Sequence, residues 1–437
     1  MRSSSQQVRV RFLPSPRCFF DEPVHVQVDG LSPHQKVELR SILWDDKGVI
    51  FRASSVYKAD ATGQVDLYRS PSLDCSYTGV EPMGLFWAMA PETPHSKMLK
   101  NNVLGSIMVN IDVLHGDTGE LLATATNERR GKEDTVGLER SKNSGRPILI
   151  MIKLCQGPFP GVLDVYILGG GLSEVRASLL ANKGFVVLTL AYYGYQDMPR
   201  NVPKHFDLEY FEEAITFLRR QPQVSPGIGI GILSISKSGD LALSMASFLS
   251  GISATVWING CNANMMTPLH YKNLVIPPLN ITLCPSGHLD VRDTIQDPDT
   301  EGNRGSLILL ERSSSRFLFA VSEDDRNWNS CLFAQQAAAR LRHHGKENFE
   351  VVTYPRAGHF LEVPYIPHCP SGFHSAVGKV VEFGGEAKAH HEAQLDLWRR
   401  VKEFFRKHLK GSSNTGQKAG CNTKRMATFQ VDVWTGV

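Results

Sequence analysis

Between Ile228 and Leu249 the chain passes from one structural period to another with no linker between them. Ile228, Ile230, Ile232 and Leu233 form an apolar, β-branched run that stops at Ser234-Ile-Ser-Lys-Ser-Gly239. Leu241, Ala242, Met245, Phe248 and Leu249 then recur at helical spacing. A buried strand that enters a helix through so short a turn holds the apex residue at the rim of a sheet, with a helix N-terminus behind it. That residue is Ser236. Its hydroxyl is presented as a nucleophile, and the N–H of the next residue, Lys237, is placed to stabilise an oxyanion. Turns of this kind usually read G-x-S-x-G, because the bend leaves little room for side chains. Here Ser234 and Ser238 occupy the glycine positions. On steric grounds these serines crowd the turn, so glycine at both positions is expected to preserve or raise turnover.

The rest of the chain divides around this feature. From Cys18 to Thr126 short strands follow one another. Val24, Val26 and Val28 alternate with polar residues up to Asp29-Gly30, and Val37, Leu39, Ser41 and Leu43 continue the period. Further strands fit Ile50–Tyr57, Val65–Tyr68, Ile107–Leu114 and Leu121–Thr126, which together predict a β-sandwich over residues 18–126 after an N-terminal extension of residues 1–17. Residues 127–147 are polar and read as a connector. Strands and helices then alternate over 148–410. Strands fit Ile148–Leu154, Leu163–Ile167, Phe185–Ala191, Thr255–Ile258, Phe317–Val321 and Phe349–Tyr354. Helices fit Ser173–Asn182, a segment marked by Leu208, Phe211, Ile215 and Leu218, Leu332–Arg342 and His390–Leu409. This order predicts an α/β domain, a mostly parallel sheet with helices on both faces. Residues 411–437 read as a flexible, Gly/Ser/Lys/Asn-rich tail.

Serine is a weak nucleophile until a base takes its proton. His359 follows the strand Phe349–Tyr354 through Pro-Arg-Ala-Gly, so it reaches the same sheet edge as Ser236. A carboxylate must fix the histidine tautomer. Asp324 and Asp325 end the strand Phe317–Val321 at that edge, and spacing does not separate them. The chain order Ser, Asp, His matches α/β-hydrolases. A second oxyanion donor is expected from Gly170 and Gly171 in the Gly169–Leu172 loop. His368, Cys369 and His374 lack a fourth ligand at metal spacing, so no metal is expected. The adjacent pairs His343-His344 and His390-His391 point different ways on helix patterns and make poor chelators. Tyr192, Tyr193 and Tyr195 read as core or pocket wall.

Charge and cysteine usage exclude other classes. The 47 Lys and Arg against 44 Asp and Glu leave a net charge of +3, too little to imply a nucleic-acid partner. No apolar run has the length to span a bilayer. The first residues carry two arginines but no apolar h-region, and the last three are not a peroxisomal signal. The eight cysteines are scattered, as suits reduced thiols. A cytosolic protein is therefore expected, ahead of a mitochondrial or peroxisomal one.

Over about Cys18 to Leu409 the sequence resembles the type-I acyl-CoA thioesterase family, which also contains bile acid-CoA:amino acid N-acyltransferase. The resemblance is carried by FDEPVHVQVDGLSP, GVEPMGLFWAM, GPFPGVLDVYILGGGLSEVRASLLANKGF, LAYYGYQDMP, HFDLEYFEEAITFL, LALSMASFL, EDDRNWNS and YPRAGHFLEVPY. It implies a β-domain packed on an α/β-hydrolase domain, with Ser236 as nucleophile, His359 as base and Asp325 as the carboxylate. It also implies a fatty acyl-CoA substrate and no cofactor. In this family thioesterases carry serine at the apex and the conjugating enzyme carries cysteine, so serine favours hydrolysis over amide formation. The alternatives are an acyl-CoA:amino acid N-acyltransferase, a general carboxylesterase, or a low-activity acyl-CoA-binding relative, the last motivated by Ser234 and Ser238.

Overall fold

The computed structural model describes residues 7–140, 149–154, 157–166, 172–195, 198, 202–279, 291–374 and 378–410. Its frame is an eight-stranded sheet. In chain order the strands are β1 (Val136–Arg140), β2 (Leu149–Leu154), β3 (Gly161–Val165), β4 (Val186–Leu190), β5 (Ile230–Ile235), β6 (Ile252–Ile258), β7 (Arg316–Ser322) and β8 (Phe349–Tyr354). In space they run β1-β2-β4-β3-β5-β6-β7-β8. β2 is antiparallel to both neighbours and the other pairings are parallel.

Every residue of β3, β4 and β5 is buried, because helices cover both faces. Alternation divides β5 between two cores. Leu233 and Ile235 pack with helices α1 (Glu174–Ala181) and α5 (Ala387–His408), while Ile230 and Ile232 pack with α2 (Leu208–Arg219), α3 (Ser238–Phe248) and α4 (Ser330–His343). This is the α/β-hydrolase arrangement expected from the sequence, with β5 central.

The N-terminal part is a two-sheet β-structure. A three-stranded sheet joins Arg9–Leu13, His25–Asp29 and Val65–Asp66. A larger one joins Arg17–Phe19, Leu121–Arg130, Ile107–His115, Lys36–Trp44, Ile50–Lys58 and Asp74–Cys75. Val26, Val28, Val37, Leu39, Val109 and Ile111 share one core between them. That core is continuous with α1 and α5. Across the seam, Trp398 Nε1 donates to Asp21 Oδ2 at 2.8 Å, and Trp87 stacks on His391 with ring centroids 5.3 Å apart.

Two stretches differ from expectation. Arg9–Leu13, placed in the extension, pairs antiparallel with His25–Asp29. Within the connector 127–147, Asn127–Arg130 completes the strand Leu121–Arg130, and Val136–Arg140 is the sheet's edge strand. An edge strand with one covered face tolerates polar residues, so composition conceals it. The tail 411–437 lies outside the described residues.

Candidate active site

Ser236 sits between β5 and α3 with φ 61°, in the left-handed region. Its N–H donates to Ile258 O at 2.9 Å, and its carbonyl accepts from Gly239 N at 2.8 Å, which closes the turn. The steric expectation for the flanking serines fails here. Ser234 Oγ donates to Val256 O at 2.8 Å on β6. Ser238 Oγ accepts from Ile235 N at 2.9 Å and reaches Val165 O at 2.7 Å on β3. Both hydroxyls are buried and bonded to backbone, so the turn is built around them rather than crowded by them.

His359 arrives from β8. Its Nε2 lies 2.8 Å from Ser236 Oγ and its Nδ1 2.8 Å from Asp325 Oδ2. All three side chains are buried. Asp325, not Asp324, meets the imidazole. Asp325 Oδ1 accepts from Asn327 N and Trp328 N, each at 2.9 Å, and Oδ2 also accepts from Ser330 Oγ. Asp324 is turned away, where it accepts from Arg326 Nε at 3.0 Å and Gly385 N at 2.8 Å. With its N–H directed at Asp325, His359 keeps the Nε2 lone pair towards Ser236.

The histidine loop is held from three sides. Asn259, after β6, donates from Nδ2 to His359 O at 2.7 Å and accepts at Oδ1 from Ser322 N at 2.8 Å. His390 on α5 accepts Gly358 N–H at Nδ1, 3.0 Å away, and Nε2 donates to Phe360 O at 2.9 Å. Burial, reinforced by nearby His368, pushes the His390 pKa down to about 3, so the ring stays neutral and can accept at Nδ1. Gly358 is required by close approach, since a Cβ there would lie 2.1 Å from Gly384 O.

Asn327 was not singled out by sequence, although it lies in the quoted EDDRNWNS stretch. Its Nδ2 is 3.2 Å from His359 Nε2. Asn259 and His390 had no local signal as loop supports, since each acts through a backbone carbonyl or N–H of a distant segment.

Ser236 and Asn327 open on a cavity of ≈ 510 Å³ between the two parts of the chain. Its walls include Lys97 and Met98 from the N-terminal part and Leu172, Val175, Phe360 and Val363 from the hydrolase part. One rim is a half-buried polar bridge. Lys97 Nζ donates to Glu362 Oε1 at 2.7 Å and to Tyr166 Oη at 2.8 Å, and the Tyr166 hydroxyl bonds Glu362 in turn. Burial raises the Glu362 pKa, but Lys97 and Arg176 together outweigh it and hold the carboxyl below its ordinary value.

Lys237 is fully buried, its ammonium paired with Asp240. It flanks the first turn of α3, so its N–H has no acceptor within the helix. Gly170 and Gly171 lie outside the described residues. His368 Nε2 bonds Gly384 O at 2.9 Å and Cys369 Sγ bonds Ser371 O at 3.3 Å, so these two side chains are directed at backbone rather than at a shared ion. Tyr192 is core and donates to Tyr166 O at 2.6 Å.

Comparison with known proteins identifies the family. Residues 206–411 match the family described as BAAT / Acyl-CoA thioester hydrolase C terminal, and residues 21–140 match the Acyl-CoA thioester hydrolase/BAAT N-terminal region. The chain is 46% identical over 409 residues to acyl-coenzyme A thioesterase 1 of Rattus norvegicus, covering 92% of this chain and 97% of that protein. It is 43% identical over 410 residues to the mitochondrial acyl-coenzyme A thioesterase 2 of Homo sapiens, covering 92% and 84%. With both regions matched and nearly the whole of such relatives covered, the chain belongs to the acyl-CoA thioester hydrolase/BAAT family.

Proposed function

We propose that the protein hydrolyses fatty acyl-CoA to free fatty acid and CoA, with Ser236 as nucleophile, His359 as general base and Asp325 as its orienting carboxylate. The observation that carries this is the unbroken chain Ser236 Oγ–His359 Nε2 and His359 Nδ1–Asp325 Oδ2, both links at 2.8 Å, beside a cavity of ≈ 510 Å³. His359 takes the serine proton as Oγ attacks the thioester carbonyl. The Lys237 N–H, with Gly170 and Gly171, is assigned to the oxyanion. The tetrahedral adduct collapses to an acyl-serine as the C–S bond breaks, and His359 gives its proton to the departing CoA sulfur, which returns the imidazole to its neutral form. Water, deprotonated by His359, then attacks that ester, and Ser236 recovers its proton as the fatty acid departs. No step calls for a metal or organic cofactor.

We place the protein in the cytosol. Cys18, Cys75, Cys261, Cys331 and Cys369 are all free thiols, as in a reducing compartment, and no described helix is long and apolar enough to cross a membrane. We also propose a division into a β-domain, which takes in Arg9–Leu13 and Asn127–Arg130 beyond the expected 18–126, and a hydrolase domain, which takes in Val136–Arg140 ahead of the expected 148–410, each supplying one wall of the cavity.

Thiol release from palmitoyl-CoA, measured in wild type and Ser236→Ala together, tests the activity. Wild-type release that falls at least about 10³-fold in the variant, with an acyl adduct seen by mass spectrometry only on wild type, is expected. Release that depends on added glycine or taurine would instead assign an acyltransferase.

A further inference from the structure

A second constellation lies on the strand that carries Phe206, whose ring faces Lys237 Nζ. Phe206–Asp207 forms a short strand paired in parallel with Leu269–Tyr271, and the register sets Phe206 against Leu269 and Asp207 against His270. Side chains alternate along a strand, so Phe206 and Leu269 share one face and Asp207 and His270 the other, joined there by His205 two residues before Asp207. Phe206 and Leu269 are buried in the core, while His205 and Asp207 are exposed and His270 half-buried.

On that outer face His205 Nε2 lies 3.4 Å from Asp207 Oδ2, and the rings of His205 and His270 stack with centroids 4.2 Å apart. One ligand atom from each of the three residues falls within 4.8 Å of the others. Among the described residues no other group of three potential ligands is so placed.

We propose that His205, Asp207 and His270 bind a first-row divalent cation of the zinc class. Two imidazoles and one carboxylate are a donor set suited to zinc, with water in the fourth position. They do not suit magnesium or calcium, which take oxygen ligands. Bonds of about 2.0–2.2 Å bring tetrahedral donors to within about 3.5 Å of one another, so the three donors must close by about 1 Å. One imidazole must also turn out of the stack, since lone pairs in two ring planes only 8° from parallel do not meet at one ion. The soft χ2 torsions of His and Asp allow it, and the exposure of His205 and Asp207 leaves them free to turn.

The consequence is structural. The metal clips the Phe206 strand to the Leu269–Tyr271 strand. From the inner face of that clip, the Phe206 ring lies 5.1 Å from Lys237 Nζ, the residue after the nucleophile. The Leu269–Tyr271 strand and the turn after it are already tied to α2, since Tyr271 Oη donates to Glu212 Oε1 at 3.2 Å and Lys272 N to Glu209 Oε1 at 2.6 Å. The site therefore braces the base of the elbow and takes no part in acyl transfer.

Calorimetric titration of chelator-treated protein with zinc chloride tests this independently of any hydrolase activity. Wild type, Asp207→Asn and His270→Ala are titrated in parallel, with a thermal melt of each. One zinc per wild-type chain at micromolar affinity is expected, weakened at least about ten-fold in each variant. Zinc at about ten times the wild-type Kd is expected to raise Tm by about 2 °C in wild type and by clearly less in each variant. Wild type that takes up no zinc below about 1 mM overturns the proposal. So does zinc bound equally by all three proteins, which would place it on other histidines.

Discussion

Ser236 holds a backbone conformation that non-glycine residues avoid, at φ 61°. That strain, on the order of 1 kcal/mol or more, persists only where neighbouring bonds over-determine it. Here the two backbone bonds at Ser236 are joined by the hydroxyls of Ser234 and Ser238, which tie the turn to β6 and β3. Removing the Ser238 hydroxyl leaves the buried Ile235 N–H without its acceptor. Replacing both serines with glycine is predicted to destabilise the protein by about 2–4 kcal/mol and to lower turnover. Denaturant unfolding and steady-state kinetics check this, and a double variant at least as stable and active as wild type would restore the steric view. Asn327 acts at the same scale. Its Nδ2 lies 3.2 Å from His359 Nε2, so the side chain confines the imidazole edge beside Ser236. Asn327→Leu is predicted to lower kcat about ten-fold while leaving the unfolding midpoint close to wild type. An unaltered kcat would reduce the amide to passive wall.

At the scale of elements, the base is only as well placed as the loop that carries it, and α5 holds that loop through a neutral histidine. Burial depresses the His390 pKa from 6.5 to about 3, and burial likewise brings His391 and His374 to about 4. The unfolded chain therefore binds more protons than the folded one between these values. Stability is complete above pH about 6.5 and falls as pH drops through the window towards 4 and then 3. The slope is at most about 1.4 kcal/mol per pH unit for each histidine. Protonation of His390 Nδ1 would also set a proton against Gly358 N–H and release the loop. Unfolding midpoints at pH 7.5, 6 and 5 should decline in order, with a shallower decline in His390→Gln. Equal midpoints across that range would show that the histidines titrate as they do in water.

The whole molecule adds what neither part has alone, a cavity with walls from both. Lys97, from the N-terminal part, spans the seam to Glu362 and Tyr166. Lys97→Met leaves the nearly buried Glu362 carboxylate with the charge of Arg176 alone, and losing the partner of a buried pair costs about 3–5 kcal/mol when the pair is fully dry. Because Lys97 retains 26% side-chain exposure, a loss of about 2–3 kcal/mol is predicted, read as a lower Tm. A Tm within about 1 °C of wild type would mean that the apolar seam around Trp87 and Trp398 suffices.

The sheet, its helices and the three hydrogen-bonded residues were legible in the chain because each leaves a local trace. Apolar periodicity marks β5 and α3, and Ser236, Asp325 and His359 each follow a strand that ends at one sheet edge. Edge strand β1 left little trace, since its five residues VGLER, of which Val136 is buried, carry no clear period within a polar stretch. The sequence by itself determined the fold class and which residue types stand at the rim of the sheet, since these follow from periods of 2 and 3.6 residues and from strand order. Only the tertiary structure gave Ser234 and Ser238 their bonded roles, brought Asn259, Asn327 and His390 to the base, and set His205 and Asp207 beside His270. The physical reason is common to all of these. Each depends on the direction of a hydrogen bond or on strand register between segments far apart in the chain, and neither is written in local spacing.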